Sequence, residues 1–101
     1  MIITAWNNGS SGFGLRMSKK DRDLHISKEW NTVILHLEGS SIPVAANIKK
    51  DSFWNRCPEF INKEIKEWLI NMNIIAWEKG NPPKLIMSHI HSNQFKVLKN
   101  V

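Results

Sequence analysis

The sequence predicts an α+β domain: a bent antiparallel sheet of about six strands packed on one main helix in the C-terminal half, with a short helix near residues 18–26. Three observations carry this expectation. Residues 31–39, NTVILHLEG, alternate apolar side chains with a period of two. Residues 57–72 hold an apolar stripe at helical spacing. KLIMSHIH (84–91) is followed by SN and then QFKVLKN (94–100), the pattern of two strands joined by a turn. The chain has 101 residues, 42% of them hydrophobic and 23% charged. That is enough apolar surface to offset the chain entropy lost on folding, so one domain spanning 1–101 is expected rather than disorder.

The elements follow in order. IITAW (2–6) is a β-rich run, NNGSSG (7–12) is made of turn formers, and FGLRM (13–17) returns as a second strand. SKKDRDLHI (18–26) opens with Ser18 and places Asp21 three residues on, a capping-box pattern that suits a two-turn helix. Leu24 is its expected core contact, with Trp30 a second anchor. In 31–39, Val33, Leu35 and Leu37 share one face, and Ile34 and His36 the other. EGSS turns the chain into IPVAANI (42–48), where Ile42, Val44, Ala46 and Ile48 alternate. Pro43 cannot donate to a ladder, which assigns this strand to an edge.

The main helix is expected over residues 58–72. Ile61, Ile65, Trp68, Leu69 and Met72 form its stripe, and Glu59 stands four residues before Lys63 in the favourable order. Pro58 suits a first helical position, where its missing N–H costs nothing. Cys57 or Asn55 then flanks the start, Phe53 and Trp54 pack it onto the sheet, and Cys57 is a small buried hydrophobe. Asn73 is a left-handed cap with Ile74 folding back onto the last turn. AWEKGNPP (76–83) is a rigid loop. The expected core is Ile3, Val33, Leu35, Leu37, Val44, Ile61, Ile65, Trp68, Leu69, Leu85 and Phe95.

Several chemistries are weak in this chain. A single cysteine excludes an intrachain disulfide and fits a cytoplasmic location. The N-terminus lacks the charged and apolar regions of a signal peptide, and no run approaches the roughly 20 apolar residues of a membrane span. No membrane partner is therefore expected. His89 and His91 lie two apart on one strand face, but no further ligands complete a metal set. GSSGFG (9–14) lacks the Gly-Lys-Ser/Thr ending of a phosphate loop. No cofactor motif is present, so no cofactor is expected. Cys57 beside Arg56 is the one candidate for an activated thiolate, yet no base is placed near it by sequence.

The mixture of cations and aromatics is the strongest signal. The formal charge is +5, and the chain holds five tryptophans. Arg16, Lys19, Lys20 and Arg22 form one basic cluster; Lys49, Lys50 and Arg56 form another beside Phe53 and Trp54. Nucleic-acid binders combine cations that neutralise phosphates with aromatics that stack on bases. Trp68 belongs to the helix stripe, and Trp30 and Trp77 flank core elements, which leaves Trp6 and Trp54 as candidate platforms. The expected function is a non-enzymatic basic binding module for nucleic acid, with Arg16, Lys19, Lys20, Arg22, Lys49, Lys50 and Arg56 on phosphates and Trp54 stacking. The alternatives are a homodimeric interaction module, using strand edges and surplus tryptophan, and a small enzyme or ligand binder using Cys57.

TAWNNG (4–9), GFGL (12–15), FWNRCPE (53–59) and KGNPPKL (79–85) together resemble a group of small uncharacterised bacterial proteins carried on plasmids, integron gene cassettes and similar mobile elements. The resemblance covers most of the chain. It implies a bacterial cytoplasmic accessory protein and supplies neither a reaction nor a ligand.

Overall fold

The computed structural model describes residues 1–7, 12–74 and 76–99. It is a mixed α/β domain with a seven-stranded sheet and three helices. In chain order the elements are β1 (Ile2–Asn7), β2 (Phe13–Arg16), α1 (Lys19–His25), β3 (Thr32–Leu37), β4 (Val44–Asn47), α2 (Asp51–Asn55), β5 (Glu59–Phe60), α3 (Lys63–Asn71), β6 (Lys84–His91) and β7 (Gln94–Lys99). The sheet order is β4-β3-β7-β6-β1-β2-β5. The turn read at NNGSSG and the glycine-rich GSSGFG fall largely on residues 8–11, outside the described residues.

The period-two strands form as their patterns dictate. Val33, Leu35 and Leu37 are buried along β3, and Val44, Ala46 and Ile48 along β4 and just past it. β4 lies on a sheet edge, as Pro43 requires. Ile42, before that proline, is 74% exposed and belongs to the loop, not to the buried face. The turn between β3 and β4 is closed by the Ser40 N–H donating to Leu37 O at 3.0 Å. Gly39 takes φ +78° there, a conformation open to glycine at little cost.

Two expectations about the sheet are corrected. It has seven strands, not six, and it is not wholly antiparallel: β3 runs parallel to β7, with Leu35 opposite Phe95 and Leu37 opposite Val97. Asn93 sets this pairing. Its carbonyl accepts from Ile34 N–H at 2.9 Å, and its side-chain amide donates to Thr32 O at 2.9 Å. The period of a strand marks its buried face but not its neighbour, so the crossover was not legible from alternation alone.

The seventh strand explains the second large difference. PEF does not begin a helix. Glu59 and Phe60 extend and pair with Arg16 and Leu15 of β2, and Phe60 is fully buried. Cys57 is exposed, not a core residue, and Ile61 is 42% exposed. The helix begins only after Asn62, whose side-chain oxygen accepts from Ile65 N–H at 2.8 Å, an N-cap. The expected helix over 58–72 is therefore replaced by the five-residue α2 before it and the nine-residue α3, while α1, of seven residues, forms where the short helix was expected. α3 still buries Ile65, Trp68 and Leu69, and Trp68 Nε1–H donates to Glu38 O at 2.8 Å. Its end is as the sequence implies. Asn73 sits at φ 61°, Asn73 N–H donates to Ile70 O and Ile74 N–H to Leu69 O, and Ile74 is buried.

Helix α1 is capped by Ser18, which accepts from Asp21 N–H at 3.0 Å. Its inward residue is Arg22, while Leu24 is 65% exposed and Ile26 supplies the apolar contact instead. The two edges of the sheet curl toward one another. Asn62, just past β5, places its amide 3.4 Å from Ala45 O on β4. Among the described residues no helix is long and apolar enough to cross a membrane.

Gly14 lies where β2 crosses the end of β5, and a Cβ there would sit 2.5 Å from Phe60 O and 3.0 Å from Ile61 Cγ1. Backbone must shift to admit it. G14A is expected to destabilise the fold by about 1–3 kcal/mol, read as a lowered midpoint in urea with an unchanged slope.

Candidate functional site

The stretch DSFWN forms α2 and sorts its two aromatics by side. Phe53 is fully buried, packed edge-on to Trp54 and tilted against Phe60 at 5.5 Å. Trp54 is half-buried on the other side of the same turn. Its Nε1–H donates to Ile48 O at 2.9 Å, which fixes the indole in one orientation. Two cations lie over the ring: the Arg22 guanidinium carbon at 5.6 Å and the Lys28 ammonium at 5.5 Å from its centroid.

Around Trp54 is an open depression of about 480 Å³, lined by Lys28, Lys49, Lys50, Asp51, Trp54 and Asn55. Three lysines face one aspartate, so its field is positive. Lys28 and Lys49 are exposed and Lys50 is half-buried. A cationic surface with an indole at its floor and lysines on flexible stems can hold an anion beside a flat aromatic group.

The eight residues singled out by sequence do not all meet here. Lys49, Lys50 and Trp54 do. Arg22 lies beside Trp54 but is buried, 7% exposed, with Nη1 donating to Phe53 O at 3.0 Å and Nε to Asp23 Oδ1 at 3.0 Å. It supports the site from within and is not presented to a phosphate. Arg16 is engaged elsewhere: it pairs with Glu59 across β2 and β5, through Nε at 2.8 Å and through Nη2, and lies over Trp6. Lys19 and Lys20 are exposed on α1, and Arg56 is exposed at the end of α2, all outside the lining of the depression.

Sequence reading missed Lys28. It follows α1 by three residues and lies in neither of the basic clusters read from the sequence. Its signal is available only through the fold, which brings that segment back over α2. Sequence reading also did not assign Asp51 to the site and placed Asn55 only beside a helix start. They stand three before and one after Trp54 on a single helical turn, and Asn55 Nδ2–H donates to Asp51 Oδ1.

A second groove, of about 560 Å³, runs between the β3–β4 turn and α3. Glu38, Glu64 and Glu67 line it with Ile42, Trp68 and Met72, and no cation does. The chain's net positive charge is thus unevenly divided between the two concavities. His89 packs against Phe95 and its Nε2 lies 2.7 Å from Ser92 O; a register shift between His89 and His91 breaks the alternation that would have set both on one face. Cys57 lies outside both concavities.

R22M keeps the aliphatic stem but removes the charge-assisted bond to Phe53. It is expected to cost about 1.5–3 kcal/mol, measured by urea denaturation, and to broaden the near-ultraviolet tryptophan signal as Trp54 loses its support. No known protein family, curated protein or solved structure matches this chain.

Proposed function

We propose that this chain is a non-enzymatic nucleic-acid-binding module whose contact surface centres on Trp54. Lys28, Lys49 and Lys50 neutralise phosphates, and the indole stacks on an unpaired base. The observation that carries this reading is the pairing of a fixed, half-buried tryptophan with three lysines in one open depression. Lys19, Lys20 and Arg56 are exposed on α1 and at the end of α2, the two helices that flank Trp54, and would extend the positive field along a strand. The resemblance to proteins of plasmids and gene cassettes suits an accessory role on a mobile element.

Titrating a labelled single-stranded oligonucleotide at several salt concentrations tests the reading. Affinity is expected to fall steeply with salt, and the triple variant K28Q/K49Q/K50Q to lower the log–log slope by about 2, since each single-strand phosphate contact contributes about 0.7. W54L is expected to weaken binding by about 1–3 kcal/mol, the usual value of one stacked base. Absence of binding to single- or double-stranded DNA and RNA at low salt rejects the proposal.

A second reading, a homodimer, is favoured by one observation. Ile2, Ile86 and Leu98 stand opposite one another on β1, β6 and β7, on the outward face of the sheet, and Ile2 is 51% exposed. A second copy seated on this row would bury it. Sedimentation equilibrium is expected to give a dimer that I86K converts to monomer; a wild-type monomer at high concentration rejects it.

A further inference from the structure

Resting on the nucleic-acid reading above, we infer that the depression at Trp54 selects guanine among unpaired bases, through the carboxylate of Asp51. Asp51 is out of place in a purely phosphate-binding surface. It lines the same depression as Lys28, Lys49 and Lys50 and makes no ion pair with any of them. Its one side-chain hydrogen bond among the described residues is accepted by Oδ1 from Asn55. A carboxylate in that position repels a phosphate, so the part of the depression it lines suits a neutral group that donates hydrogen bonds.

The placement of the three residues defines what that group is. Asp51, Trp54 and Asn55 lie on one face of α2, at spacings of three and four. The indole is fixed by its bond to Ile48 O and by the ring of Phe53. A base stacked on that ring lies in the depression that Asp51 also lines, within reach of its carboxylate. An ionised carboxylate offers only acceptors. Guanine alone presents two adjacent donors, N1–H and the 2-amino group, on its Watson–Crick edge. Adenine and cytosine set an acceptor nitrogen beside their amino group, which faces the second oxygen unfavourably. Thymine and uracil offer one N–H between two carbonyls. A duplex hides this edge in base pairing, so the ligand is a single strand or a looped-out nucleotide. Lys28, solvent-exposed over the indole, must move aside for the base and is then free to follow its phosphate.

The test is fluorescence anisotropy with labelled thymidine tracts carrying one central guanosine, inosine, adenosine or cytidine. The guanosine tract is expected to bind about 5- to 150-fold more tightly than the adenosine or cytidine tract, the range for one well-placed bidentate contact. Inosine, which lacks the 2-amino group, is expected to fall between them. D51N, with one acceptor and one donor in place of two acceptors, is expected to bring the guanosine-to-adenosine ratio close to one. Binding without base preference, or equal affinity for guanosine and inosine, overturns the guanine inference and leaves the nucleic-acid reading standing. A preference that persists in folded D51N overturns the assignment to Asp51. No binding of any tract at low salt overturns both readings. Should D51N fail to fold, the guanosine–inosine comparison in the unaltered protein still decides the base preference, and D51S, expected to abolish it, decides the assignment to Asp51.

Discussion

Arg22 carries its charge into the interior and gives it to a backbone carbonyl of a helix far along the chain, Phe53 O. Burial of a charge is costly unless its donors are matched, and a guanidinium is the cation best able to spread several donors over fixed partners. Asp23 takes one of them while remaining largely in solvent. The contact fastens α1 to α2, two helices too short to be stable alone. It fixes Phe53 inward, where it meets Phe60, and Phe60 in turn pairs through β5 with Leu15 of β2. One buried guanidinium thus joins the first helix, the second helix and the far edge of the sheet. Trp54 has its position on the outer side because Phe53 has the inner one.

Charge in this protein matters by location. The formal excess of cations belongs in part to side chains that are already occupied: Arg16 holds Glu59, and Arg22 holds a carbonyl and Asp23. The cations left at the depression are lysines on flexible stems, and three of them converge where an indole is held rigid. The carboxylates gather in part on the other concavity, beside α3. Such a division sets a positive field at one end of β4 and a negative one at the other, which net charge alone does not specify.

Legibility followed the range of the interactions. The Ser18 cap, the Asn73 left-handed turn with Ile74 folded back, and the alternation in β3 and β4 depend on neighbours within a few residues, and each was readable. Ten of the eleven expected core residues are buried; Ile61 is not, because the helical stripe was drawn through a segment that extends. The PEF segment becomes a strand because β2 offers a partner edge and Phe60 an unfilled place in the core, and neither is visible in local spacing. Asn62 before Lys63 and Glu64 was the local sign of the true helix start. In the site, the pairing of Trp54 with Lys49 and Lys50 was legible because they are close in sequence. The burial of Arg22 and the arrival of Lys28 were not, since both depend on α1 packing against α2.

By itself the sequence determined a mixed α/β domain, the buried face of its main strands, the edge position of the Pro43 strand and the ends of two helices. These follow from periodicity, capping chemistry and the limits of proline, all of which act over a few residues. Tertiary structure decided which strands are neighbours, that β3 and β7 run parallel, that residues 59–60 extend, and which cations remain free. Those outcomes rest on contacts between segments dozens of residues apart, such as the burial of Phe60 against β2, which outweighs local helical preference at residues 59–60.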